Sequence, residues 1–173
     1  MHRKVKQFLQ IRGMKYAIEI LLIVMVFLAV KTYTQRDLVK GTPPHVEGKL
    51  LNGVSVNLEN LEGSPLLLHF WATWCPICKL EQDSINAISK DYKVLGIAMN
   101  SGTDIEVGKY LEENNLSFPT LVDKEGMIAN KFGVRGVPVS FIIGPDGNIA
   151  FIEKGFTTEY GLRFRLWLSS LQF

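Results

Sequence analysis

Trp71-Ala72-Thr73-Trp74-Cys75-Pro76-Ile77-Cys78 contains both cysteines of this 173-residue chain. It follows Leu66-Leu67-Leu68-His69-Phe70, an apolar run with the length and flanks of a buried strand, and leads into a helical pattern opening at Pro76. The pair is therefore expected at a strand-to-helix junction. There the unpaired N–H groups and positive dipole end of the helix stabilise a thiolate at Cys75. Cys78 falls one turn later on the same face, within bridging reach. This spacing predicts reversible dithiol–disulfide chemistry in which Cys75 attacks and Cys78 closes or resolves the disulfide. Two other uses of the spacing fit less well. Structural zinc needs four ligands, and the chain adds only His2, His45 and His69 to the two thiols. A purely structural bridge over three residues closes almost no loop and removes little unfolded-state entropy.

Working outward, Leu67 to Cys78 resembles the active-site strand and helix start of thioredoxin-fold proteins, especially the membrane-tethered TlpA/ResA-like thiol-disulfide oxidoreductases. Gly53-Val54-Ser55-Val56-Asn57-Leu58-Glu59-Asn60-Leu61 is similar to that family's N-terminal hairpin, and Gly133-Val134-Arg135-Gly136-Val137-Pro138 to its cis-proline loop. The likeness runs roughly from Pro43 to Phe173. Within the family, Ile97-Ala98-Met99-Asn100-Ser101-Gly102 and Tyr160-Gly161-Leu162-Arg163-Phe164-Arg165-Leu166-Trp167 look most like the ScsD-type members of copper-sensitivity-suppressor operons.

The resemblance implies an α/β thioredoxin fold, a central mixed sheet flanked by helices, with an N-terminal β-hairpin extension. It implies a protein-disulfide oxidoreductase that needs no cofactor beyond the Cys75–Cys78 redox disulfide and no metal. Its partners would be cysteine-containing substrate proteins and a transmembrane electron donor of the DsbD type. The family's cis-proline falls at Val137-Pro138, which would set the Val137 backbone opposite Cys75 to pair with a substrate strand. Trp74, Pro76, Ile77, Val137 and Pro138 would then form a substrate-binding surface around an exposed sulfur. His69 departs from the family pattern, which has an acid or asparagine there. A buried imidazole near Cys78 is a candidate catalytic proton acceptor, and a hydrogen-bonded core histidine is the alternative.

Direction and neighbours in function are read from the same resemblance. Tethered relatives are mostly reductants, so reduction of substrate disulfides is expected. Cytochrome c maturation relatives carry an acid where this chain has Val139. A peroxidatic enzyme would need threonine three residues before its cysteine in a Pro-x-x-x-Thr pattern, whereas Ala72 stands there and Thr73 is one place late. A Cu(I)-binding module is the reading from a different class, because soft thiolates suit Cu(I).

Charge and hydropathy place the remaining parts. The net charge is +2, but Arg3, Lys4, Lys6, Arg12 and Lys15 all precede an apolar run whose only acid is Glu19. The rest of the chain is slightly acidic, so no basic face for nucleic acid is expected. Residues 14–33 reach the length of a membrane-spanning helix, with Tyr16 and Tyr33 at interfacial positions and Glu19 one turn from Lys15. A cleaved signal peptide is the rival, but Leu28-Ala29-Val30-Lys31 lacks a small-x-small cleavage pattern. The expected organisation is a cytoplasmic basic segment at 1–13, an inner-membrane anchor at 14–33, a linker at 34–45 containing Pro43-Pro44, and a periplasmic domain at 46–173.

Within that domain Asn52-Gly53 signals a two-residue hairpin between Val46–Leu50 and Val54–Leu58. Pro76–Lys90 reads as a helix with Leu80, Ile85 and Ile88 inward. Val94–Met99 reads as a strand, and Thr103 or Asp104 opens a helix to about Asn114. Phe118 to Val122 reads as a connection, Met127–Phe132 as a short helix, and Val139–Ile143 with Ile149–Glu153 as a closing hairpin. The last helix has two apolar faces, one with Leu162, Leu166 and Phe173, the other with Phe164, Trp167, Leu168 and Leu171.

Overall fold

The computed structural model describes residues 2–61 and 63–171, with side chains from Met14 onward except Ala17. Phe173 lies outside the described residues. The chain divides into two compact units, residues 1–36 and 37–173. The first is one helix, α1 (His2–Thr34). Its stretch Met14–Thr34 has a mean hydropathy of 2.0 and is long and apolar enough to cross a bilayer by length and composition.

The second unit begins with an antiparallel pair, β1 (Glu47–Lys49) and β2 (Ser55–Asn57), followed by a 3-10 turn at Leu58–Leu61. Then come β3 (Leu66–Trp71), α2 (Pro76–Ile88), β4 (Lys93–Met99), α3 (Asp104–Glu113), β5 (Thr120–Asp123), α4 (Met127–Lys131), β6 (Val139–Ile143), β7 (Ile149–Lys154) and α5 (Glu159–Ser169). The main sheet has the order β5-β4-β3-β6-β7. β3 runs parallel to β4 and antiparallel to β6, so the sheet is mixed and β3 is its centre. This is the thioredoxin fold.

All six residues of β3 are buried, because helices cover both faces of the strand. Alternation along the strand divides them. Leu67 and Trp71 join Ile85 and Ile88 of α2, Val107 and Leu111 of α3, and Leu162 and Leu166 of α5. Leu68 and Phe70 point to the other layer, where Phe70, Phe132 and Phe141 pack with ring centroids 5.2 to 5.7 Å apart. Thr103 caps α3 with a complete capping box to Glu106, and the buried Asp123 carboxylate accepts from the Ile128 and Ala129 N–H groups at the start of α4.

The structure differs from the sequence expectations in four places. The hairpin turn is longer than two residues: Leu50 N–H donates to the Val54 carbonyl, Gly53 N–H to the Leu50 carbonyl, and Gly53 takes φ +85°. The connection expected at 118–122 contains a strand, β5, too short for a periodicity to show, which pairs parallel to β4. The linker expected at 34–45 is, from Asp37 onward, packed on the domain, with Leu38 buried and Gly41 bridging Ile149 of β7.

The fourth difference is in α2, where Leu80 is 71% exposed and the inward position belongs to Glu81. The steps from Cys78 to Glu81, Ile85 and Ile88 are three, four and three residues, which is one helical face; Leu80 lies off it. On α5 the Leu162–Leu166 face is the buried one, and Phe164, Trp167 and Leu171 are exposed. The α2 assignment has a direct test. Replacing Ile85 by Ala should destabilise the domain by about 2–5 kcal/mol, whereas replacing Leu80 by Ala should change stability by less than about 0.5 kcal/mol. Urea unfolding of the two variants distinguishes them.

Candidate active site

β3 ends at Trp71, and a short turn carries the chain to the N-terminus of α2. Cys75 occupies the N-cap position with extended backbone, and its sulfur accepts the Cys78 N–H at 3.1 Å. One of the orphan donors of the helix start is thus aimed at the sulfur, the contact that favours a thiolate there. Pro76 at the first helical position has no N–H to leave unpaired. Cys75 and Cys78 form a disulfide with their Cα atoms 5.3 Å apart. Among the described residues no group of three or more His, Cys, Asp or Glu could hold a metal ion.

The surroundings are held by the loops at the same end of the sheet. The Val137–Pro138 peptide bond is cis, and the Val137 carbonyl oxygen lies 3.6 Å from the Cys75 sulfur. Trp74 donates its indole N–H to the Asn100 carbonyl, and the Thr73 N–H donates to the Ser101 hydroxyl, so the loop after β4 fixes the turn before the cysteines. Trp74 and Ile77 are exposed, at 58% and 46%, and Pro76 is exposed beside them. Val137 is half-buried and Pro138 buried. Cys75 differs from the expectation of an exposed sulfur: the residue is only 3% exposed, with the Val137 carbonyl against its sulfur and the exposed Trp74, Pro76 and Ile77 around it.

His69 lies on β3 between Leu67 and Trp71, hence on the sheet face that α2 covers. It is fully enclosed, and its Nδ1 is 2.9 Å from the Ser140 hydroxyl on β6. Burial alone lowers its pKa to about 3, so the ring is neutral throughout the ordinary range.

The sequence reading missed Glu81, one turn beyond Cys78 on the buried face of α2. One carboxyl oxygen accepts the Thr157 N–H at 2.5 Å, and the other, Oε2, is buried with no hydrogen-bond partner among the described residues. Burial raises its pKa from 4.5 to about 7, and the Thr157 contact offsets that only in part. A buried carboxyl that titrates near neutrality, one helical turn from a cysteine of the disulfide, is a candidate proton carrier for a thiol at that end of the helix. The signal was present in sequence: an acid in register with Cys78, Ile85 and Ile88.

These two groups set opposite pH dependences. Glu81 binds its proton more tightly when folded, so stability falls as pH rises from about 4.5 through about 7. His69 resists protonation when folded, so stability falls as pH drops from 6.5 toward 3. The oxidised Glu81→Gln variant should therefore gain on the order of 2 kcal/mol over wild type by pH 8 and lose that advantage below pH about 4. Urea unfolding across this range reads the difference.

The chain is similar to known proteins in sequence and in fold. The family described as AhpC/TSA matches residues 39–152. A thioredoxin-like protein of Haemophilus influenzae is 28% identical over 158 residues, covering 90% of this chain and 94% of the relative. The thiol-disulfide oxidoreductase ResA of Bacillus thuringiensis is 35% identical over 113 residues, 63% of this chain and 65% of the relative, so the chain spans just under two thirds of that protein's length. Among solved structures, DsbF of Mycobacterium tuberculosis, in mixed oxidised and reduced forms, superposes with a TM-score of 0.64 at 26% identity, covering 75% of this chain and 100% of that one. StoA of Bacillus subtilis, at 24% identity, shares the fold with a TM-score of 0.63 over 72% of this chain and 97% of its own. With a family match over most of its length and a cysteine pair at the strand-to-helix junction, this chain belongs to the AhpC/TSA family of thioredoxin-like proteins, among homologues that are ResA-type thiol-disulfide oxidoreductases.

Proposed function

We propose that the chain is a membrane-anchored protein thiol-disulfide oxidoreductase that reduces disulfides of substrate proteins on the periplasmic side of a bacterial inner membrane. One observation carries the reading: a Cys75–Cys78 disulfide at a helix N-terminus, with the Val137 carbonyl at 3.6 Å and an exposed apolar rim of Trp74, Pro76 and Ile77. The apolar helix Met14–Thr34 and the basic residues before it support the anchor and its orientation. ScsD-like segments at 97–102 and 160–167 support a place among the copper-tolerance members of the family.

The reaction follows from the geometry. In the reduced enzyme the Cys75 thiolate attacks one sulfur of a substrate disulfide; that S–S bond breaks and the first substrate thiolate leaves. A mixed disulfide now joins Cys75 to the substrate. The Cys78 thiol gives up its proton and attacks the Cys75 sulfur, releasing the second substrate thiolate and forming the Cys75–Cys78 disulfide seen in the structure. Two electrons have passed from the enzyme to the substrate. A dithiol donor of the DsbD type restores them by the same exchange in reverse. We assign the proton of Cys78 to Glu81 rather than to His69: an acceptor titrating near 7 is matched to the task, and a ring whose pKa is about 3 is a poor base.

Two experiments test the reading. In cells, acid-quenched alkylation should find Cys75 and Cys78 mainly as free thiols, shifting to disulfide when the transmembrane donor is deleted, and Cys78→Ala should accumulate substrates as mixed disulfides on Cys75. A wild-type pool that is mostly oxidised and indifferent to the donor would overturn the direction. In stopped-flow assays at pH 7, Glu81→Gln should slow resolution of a mixed disulfide by about 100-fold while leaving attack by Cys75 within a few-fold. His69→Asn should leave both steps within a few-fold, and a selective loss of resolution there would return the proton role to His69.

A further inference from the structure

The loop that presents Val137 to Cys75 starts at Gly133, and Gly133 lies directly under a part of the chain that takes no part in the chemistry. It has φ +72°, and a Cβ added there would stand 1.9 Å from the Asp37 carbonyl oxygen and 3.3 Å from the Leu38 Cα. No side chain fits between the two backbones. Beside this crossing, Val39 N–H donates to the Phe132 carbonyl at 3.1 Å, and Leu38 is 5% exposed in a core cluster with Phe132, Val134 and Val139. Further along, the Ile149 N–H donates to the Gly41 carbonyl at 2.8 Å and the Thr42 hydroxyl to Asn148 at 3.1 Å, so the strap continues to the turn before β7. The Asp37–Arg135 ion pair, at 3.9 Å and largely exposed, adds little.

We infer that the strap Asp37–Val39 is a positioning element for substrate binding: clamped over Gly133, it fixes the near end of the 133–138 loop and so sets where the Val137 backbone meets a substrate strand beside Cys75. The far end of the loop is already held, since the Pro138 carbonyl accepts the Gly155 N–H at 2.9 Å. Between these fixed points Val137 packs against both core layers. Strand pairing depends on the direction of a few backbone groups, so a loop released at one end loses affinity for an extended peptide before it loses anything at the sulfurs. The thiolate depends instead on the helix N-terminus, whereas the strap's hydrogen bond and buried side chain go to Phe132 and its neighbours.

The inference rests on the dithiol-exchange reading, and its test separates the two. Val39→Pro removes the N–H that bonds Phe132, and Leu38→Ala removes the buried anchor; neither residue belongs to the cysteine site. With the full chain in detergent micelles, the reduced enzyme is offered either a disulfide-linked peptide or a small aryl disulfide that needs no strand pairing. Both variants should raise KM for the peptide by about tenfold, with kcat and the aryl-disulfide rate within about twofold, and Leu38→Ile should keep the wild-type KM. Amide exchange at Val134, whose N–H donates to Ala129 at 2.8 Å, should quicken in Val39→Pro while exchange at Leu95 in the central sheet does not. An unchanged KM, or a parallel fall in both assays, would overturn the inference. Unchanged exchange at Val134 would overturn it as well. A wild type that reduces neither disulfide would instead defeat the dithiol-exchange reading and leave the exchange measurement to decide the strap's role.

Discussion

Everything at the active end of this domain depends on burying β3 on both faces. Six consecutive buried residues at the centre of a mixed sheet leave the strand no freedom of register: a shift by one residue would exchange Leu67 and Trp71 with Leu68 and Phe70 between two differently shaped core layers. The position of Trp71 therefore fixes the turn that follows, and the turn fixes where α2 starts. Helix packing then holds α2 along the sheet through Ile85 and Ile88, while Tyr110 of α3 donates to Gln82 and Arg163 of α5 donates to the Ala87 carbonyl. The cysteine at the N-cap inherits its geometry from a hydrophobic constraint several residues away.

Against that rigid frame, Glu81 is a deliberate exception to the rule that buried carboxyls are paired. A carboxylate enclosed with one partnered oxygen and one orphan is costly when ionised, and the cost appears as a pKa near 7. The group stands one helical turn from Cys78, the position from which the proposed mechanism has it serve that thiol. His69 is the opposite case. Its ring is also buried, but its Nδ1 is bonded to the Ser140 hydroxyl and burial alone sets its pKa, so it is kept neutral and contributes a polar cross-strand contact between β3 and β6.

Much of this was legible along the chain. The apolar run before Trp71, the proline at the helix start and the two cysteines three apart are local signals, and local signals survive reading in one dimension. The helix start at Thr103 and the hairpin from β6 to β7 are of the same kind. What escaped were features made by long-range contact. β5 has too few residues for a period to emerge and exists because β4 offers it an edge. Asp37 to Thr42 looked like a spacer because polar residues and prolines surround it; Leu38 and Val39 become structural only when Phe132 and Gly133 arrive beneath them. Glu81 lies on the helical face of Cys78, Ile85 and Ile88, but a carboxyl is ordinarily solvated, and only the Thr157 segment, distant in sequence, encloses it.

The sequence alone determined the chemistry: two thiols at a strand-to-helix junction, on one helical face, in a chain of the right length to enclose them, because spacing and secondary-structure period are local properties. Tertiary structure alone decided the surroundings in which those thiols sit. The burial of the Cys75 sulfur, the pKa of Glu81, the neutrality of His69 and the clamp of Asp37 on Gly133 all arise where segments distant in sequence exclude water together, and desolvation is a property of the assembled volume.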